Sequence, residues 1–228
     1  MQEPRSVIAV DLRNVSYGEW LAFVFDHEPL PDGADIGRAW YNANVLEIEA
    51  GPARQVSYLT RVFESPEVLA GRYTTNQIEQ GFWFMLGATS GQEAFRDALW
   101  DAAVPWAERE ACIRAVPTLY ERLFPRDEDN EGIPFMLWDL LADDYGHKLR
   151  NPAADEEDRR VQGAMLEAMR QMLLSSDSPI AQRAGLHGLF HLAHPMGHAL
   201  IRTYLESRWG ISASLRTYAE QVVRGDAL

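Results

Sequence analysis

The 228-residue chain has one cysteine, Cys112, and one lysine, Lys148. A single thiol makes neither an internal disulfide nor a cysteine-based zinc site, so packing alone must hold the fold. At this length folding hides roughly 70% of the surface of the unfolded chain, which is enough for that purpose. Cys112 lies in an apolar stretch, Ala111-Cys112-Ile113, and reads as a buried, inert residue. The neighbouring Arg109 and Arg114 would favour its thiolate, but no Cys-His pairing lies nearby to make it a nucleophile.

Long apolar runs are also missing. No span of 18 or more apolar residues occurs, which excludes a transmembrane helix. Met1 to Arg5 with Val7–Val10 is too short and too polar for a secretory signal, so a cytoplasmic location is expected. Positive charge is scarce as well. The chain carries 21 Lys and Arg against 34 Asp and Glu, a net charge of −13, and such a field repels phosphate backbones and anionic lipid. Nucleic-acid and membrane partners are therefore disfavoured, and a basic protein partner is favoured. The acidic excess is densest at Asp127, Glu128, Asp129, Glu131 and at Asp155, Glu156, Glu157, Asp158, which read as solvated loops or helix starts. Catalytic signatures are lacking too: no Gly-x-Ser-x-Gly, P-loop, dinucleotide glycine pattern or His-Glu-x-x-His is present.

What is present is mostly helical. Ser16-Tyr17-Gly18-Glu19 has the form of a capping box and opens a strongly apolar helix that stops before Pro29. Val7–Val10 reads as an extended arm, because no partner strand lies near it in sequence. From Pro29 to Pro52 the helical period fades, and Gly33, Gly37 and Gly51 with the alternating Val45, Glu47, Ile48, Glu49 predict a loop or short extended piece. Trp40 and Tyr41 within it read as hydrophobic plugs. Helical patterns resume at Ala53, at Thr75, after Pro105 with a kink expected at Pro117, and after Pro134. Ser65 is expected to cap, and Pro66 to begin, a short helix. A stripe of Val161, Met165, Met169, Met172 and Leu173 marks an amphipathic helix whose methionines belong to the core. Ser178-Pro179, Pro195 and Ser212 or Ser214 then punctuate the last quarter, and short loops between such helices imply helical hairpins.

Four of the six histidines fall within twelve residues, His187, His191, His194 and His198. On one straight helix their spacing would align all four on a stripe, but Pro195 interrupts it and makes His194 the cap of a new helix. His187 and His191 then share a face, with His198 on the following helix. A metal centre would also want a carboxylate, and the nearest in sequence is Glu206. Structural histidines at inter-helix seams are the simpler expectation. Asp143-Asp144, adjacent on a helix, point apart and read as helix-end decoration.

The stretch Ala184-Gly185-Leu186-His187-Gly188-Leu189-Phe190-His191-Leu192 resembles an Ala-Leu-His-Gly-Leu-Gly-His-Leu pattern of bacterial HEAT-like helical-repeat proteins, departing from it at Gly185 and Phe190. The resemblance implies an inner helix, with glycine allowing close approach and histidine bridging layers. It carries over no activity and no catalytic residue.

The expected fold is thus an all-α, irregular HEAT-like array of about ten helices in one domain spanning 1–228. Residues 1–52 would form an N-terminal helix plus long loop, and 53–228 the stacked hairpins. Concave repeat surfaces favour a non-enzymatic protein-protein interaction module without cofactor, of which an inhibitor or immunity-type binder of a basic protein is one instance. The competing expectation is a metal-dependent enzyme using His187, His191 and His198, with Glu206. Of seven tryptophans, most are expected in the core, and one or two at a groove would serve as binding anchors.

Overall fold

The computed structural model describes residues 6–31, 34, 36–87, 93–125, 128–129 and 131–226. Met1 to Arg5, Gly33 and Asp127, named above, lie outside them.

The chain is mostly helical, and its helices begin where local chemistry supplies the missing hydrogen-bond partners. Helix α1 (Tyr17–Phe25) starts on the expected capping box, with the Ser16 hydroxyl accepting from the Glu19 amide and the Glu19 carboxylate accepting from Ser16 N–H at 2.7 Å. It buries Trp20, Leu21, Val24 and Phe25 completely. Helix α2 (Pro52–Glu64) has Pro at its first position, where the absent N–H costs nothing. Ser65 closes α2 instead of capping the next helix, and Pro66 takes the N-cap of the short α3 (Glu67–Ala70). A second capping box, Thr74 with Gln77, opens α4 (Thr75–Leu86).

The N-terminal arm is not an arm. Val7–Asp11 (β1) pairs in parallel with Val45–Glu49 (β2), Val7 opposite Val45 and Asp11 opposite Glu49. A parallel pair needs a long crossover, here provided by α1 and two 3-10 turns, Ile36–Arg38 and Trp40–Asn42. The aromatics of that crossover do plug: Trp40 stacks on His27 at 3.6 Å and meets Phe84 at 4.6 Å, while Tyr41 is buried.

After a short α5 (Glu93–Arg96), helices α6 (Trp106–Arg122), α7 (Ile133–Gly146), α8 (Glu156–Ser175), α9 (Pro179–Leu192), α10 (Gly197–Ser207) and α11 (Ala213–Arg224) complete the chain. Helix α6 is assigned without a break through Pro117, although the proline leaves one carbonyl without its helical donor. The methionine stripe of α8 is fully buried. These helices pack in alternation: α6 on α8 and α8 on α10, α7 on α9 and α9 on α11, with α8 against α9 joining the two layers. Helix α2 packs on α6 and ties the N-terminal part to the remainder. No helix of the described residues is long and apolar enough to cross a membrane.

Cys112 sits in this core, fully buried, and burial pushes its thiol up to about 12. The adjacent arginines do not favour a thiolate: Arg109 turns to the Val104 and Leu99 carbonyls and to Glu157, and Arg114 pairs with Glu110. Cys112 is therefore expected to resist thiol reagents such as iodoacetamide in the native protein and to react with one equivalent in urea. Prompt native-state labelling would contradict its placement.

Candidate functional site

The seam between α7 and α9 gathers the polar side chains that the rest of the core excludes. Two features bring the helices close. Gly188 faces Trp138, where an added Cβ would lie 2.5 Å from the Trp138 Cβ, and Gly146 faces the His191 carbonyl, where it would lie 2.9 Å from the oxygen. Small residues at both points let the backbones approach, so short side chains can meet across the seam.

Across it, two pairs with helical i,i+4 spacing face each other: Asp139 and Asp143 on α7, His187 and His191 on α9. The His191 Nδ1 lies 3.0 Å from Asp139 Oδ1 and 3.3 Å from Asp143 Oδ1. Burial alone would discharge this imidazole, but the two carboxylates outweigh burial and raise its pKa. His187 responds in the opposite sense. Its ring is buried, stacks on Phe135 at 4.2 Å and stands 4.8 Å from the His191 ring. Burial, then the neighbouring His191, lower its pKa to about 4, so His187 is neutral at pH 7.

Helix α11 closes the cluster. The Tyr218 hydroxyl lies 2.7 Å from His187 Nδ1 and fixes the orientation of the ring. Arg183 also faces this region, lying over the Phe135 ring at 4.5 Å and the Tyr218 ring at 5.7 Å, while it donates to the Glu128 carbonyl at 2.8 Å. The Glu128 carboxylate in turn accepts from the Ser212 and Ser214 hydroxyls at the start of α11. Part of the first acidic run thus anchors a helix start, and in the second run Asp155 caps α8 by accepting from the Glu157 and Asp158 amides.

Of the residues expected to act together, His187 and His191 meet, and one ligand atom from each, with one from Asp139, lie within 4.8 Å of one another. His198 is not part of that group; it is exposed at the start of α10, and Glu206 is exposed near the end of the same helix. The physical reason is the break at Ala193, which turns left-handed (φ 49°) and ends α9 before Pro195. His194 acts there as a cap, its Nδ1 accepting from the Met196 amide at 3.0 Å. Asp143, read as helix-end decoration, reaches both His191 and His147. Asp139 and Tyr218 were not singled out in the sequence. The four-residue spacing of Asp139 and Asp143, the same as that of His187 and His191, is the signal that marks the carboxylate side. No family model, curated protein or solved structure matches the chain.

Proposed function

We propose that the chain is a non-enzymatic protein-interaction module that binds a basic partner protein, with an inhibitor or immunity-type role as one instance. The observation that carries this reading is Trp209, 96% exposed in the turn between α10 and α11, whereas Trp20, Trp100 and Trp138 are buried and Trp40, Trp83 and Trp106 half-buried. Tryptophan is the side chain most enriched among residues that dominate binding energy. Its support is built. The preceding Arg208 donates to the Leu174 and Ser176 carbonyls and pairs with Asp177, and the following Gly210 takes φ +80°, with Ile211 packed on the core. A braced backbone under a bare indole lowers the ordering cost of binding.

Charge supports the nature of the partner. The net charge of −13, with Asp177 and Glu206 exposed close to Trp209 in the fold or the chain, attracts a basic surface. The alternating layers of α6 to α11 support reading residues 53–228 as an irregular HEAT-like stack, an architecture that presents extended binding surfaces.

The test compares wild type and Trp209→Ala as baits in host lysate, followed by affinity measurement with the purified protein captured. A basic protein is expected that binds one to one and loses roughly 30-fold or more in affinity with Trp209→Ala, at unchanged thermal stability. Equal binding by the two baits would exclude Trp209 as the anchor and remove the support for the proposal.

A further inference from the structure

The α7–α9 cluster has more ligand capacity than its hydrogen bonds consume. From Asp139, His187 and His191 it offers two imidazoles and one carboxylate, drawn from two facing helices and partly or wholly buried. We propose that Asp139, His187 and His191 form a structural binding site for a divalent transition-metal ion of the zinc class, which clamps α7 to α9.

Four observations support it. The donor set is the first: imidazole nitrogen with one carboxylate suits zinc and its neighbours, whereas calcium and magnesium want oxygen alone. Spacing is the second. Ligands about 2.1 Å from a tetrahedral ion sit about 3.4 Å from each other; His191 Nδ1 and Asp139 Oδ1 are already 3.0 Å apart, and the whole group spans no more than 4.8 Å. Closing round an ion thus asks for side-chain rotation rather than backbone movement.

Third, His187 carries the outer contact that metal-bound histidines have. The Tyr218 hydroxyl engages Nδ1 and leaves Nε2 as the nitrogen to coordinate. Fourth, the charges balance: Asp139 and Asp143 together neutralise a dipositive ion, and Asp143, 3.3 Å from His191 Nδ1, is the further donor at hand. Arg183 is the basic group facing His187, and it is occupied by the Glu128 carbonyl and the Phe135 ring. The role is structural because the ligands come from packed helix faces, with Tyr218 extending the clamp to α11.

The experiment uses the full chain, stripped with EDTA and titrated with zinc chloride by calorimetry, with thermal unfolding recorded at each stage. One ion per chain is expected, with a higher melting temperature for the loaded protein. Asp139→Asn, which keeps the side-chain shape, and His191→Gln are each expected to weaken binding at least tenfold. Tyr218→Phe acts through His187 and is expected to weaken it about tenfold, within the range for outer contacts. His198→Gln should leave affinity unchanged. Circular dichroism of the stripped Asp139→Asn protein should match wild type, so that its loss of zinc reports the site. Absence of saturable binding by the wild type, zinc affinity indifferent to both Asp139→Asn and His191→Gln, or binding lost with His198→Gln would each overturn the proposal.

Discussion

Replacing Gly188 by alanine is expected to destabilise the protein by about 1–3 kcal/mol, even though alanine is the better helix former by about 1 kcal/mol. The sign is decided by what the new methyl group meets. It would lie 2.5 Å from the Trp138 Cβ and 2.7 Å from the Met169 methyl. The methionine terminus yields, but a Cβ is fixed to its backbone, so α7 and α9 must move apart. Trp138 has nowhere to go: it is fully buried, with its Nε1 2.9 Å from Met172 Sδ. The same change elsewhere calibrates this. At Gly163 in α8 nothing lies within 4 Å of an added Cβ, and alanine there should stabilise by roughly 0.5–1 kcal/mol. At Gly185 the nearest atoms, on Leu173, stand at 3.4 Å, an ordinary contact, so alanine should be close to neutral. Urea unfolding with an unchanged m-value reads all three. A Gly188→Ala protein as stable as wild type would mean that the α7–α9 seam is looser than described.

The second large effect is expected at Glu157. Its carboxylate pairs with Arg109, whose guanidinium is 2% exposed and also donates to Val104 O at 3.0 Å. Glu157→Ala leaves that cation buried without a counter-charge. Breaking a buried pair in this way costs about 3–5 kcal/mol, and the partial exposure of Glu157 places the expectation at the lower end. The neighbouring Glu156 pairs with Arg160, and both are largely solvated, so Glu156→Ala should cost less than about 1 kcal/mol. Both glutamates lie in the first turn of α8 and serve its dipole alike. The difference between the two variants therefore isolates the burial of Arg109, and equal losses would contradict it.

Much of the helical layout was legible because its signals are local. The capping box at Ser16, the prolines opening α2, α7 and α9, and the methionine stripe of α8 each depend on residues within a turn or two. What escaped depends on distant partners. Val7–Val10 looked unpaired because β2 lies more than 30 residues further along the chain, and nothing in a short apolar run announces a parallel partner across a helix. The site shows the same division. His187 and His191 declared themselves by spacing, but the carboxylate they meet comes from α7, not from Glu206 on the same stretch of chain. Sequence proximity was the wrong guide, since packing at Gly188 and Gly146 determines which helix faces α9.

A firm scaffold that presents an isolated indole makes one joint demand on the backbone, and amide hydrogen exchange of the protein, free and bound to its captured partner, measures it most directly. The account predicts that α7 and α9 exchange slowest in the free protein and are unchanged by binding, while residues 206–212 around Trp209 gain protection in the complex. Protection appearing elsewhere, with 206–212 exchanging as in the free chain, would contradict it.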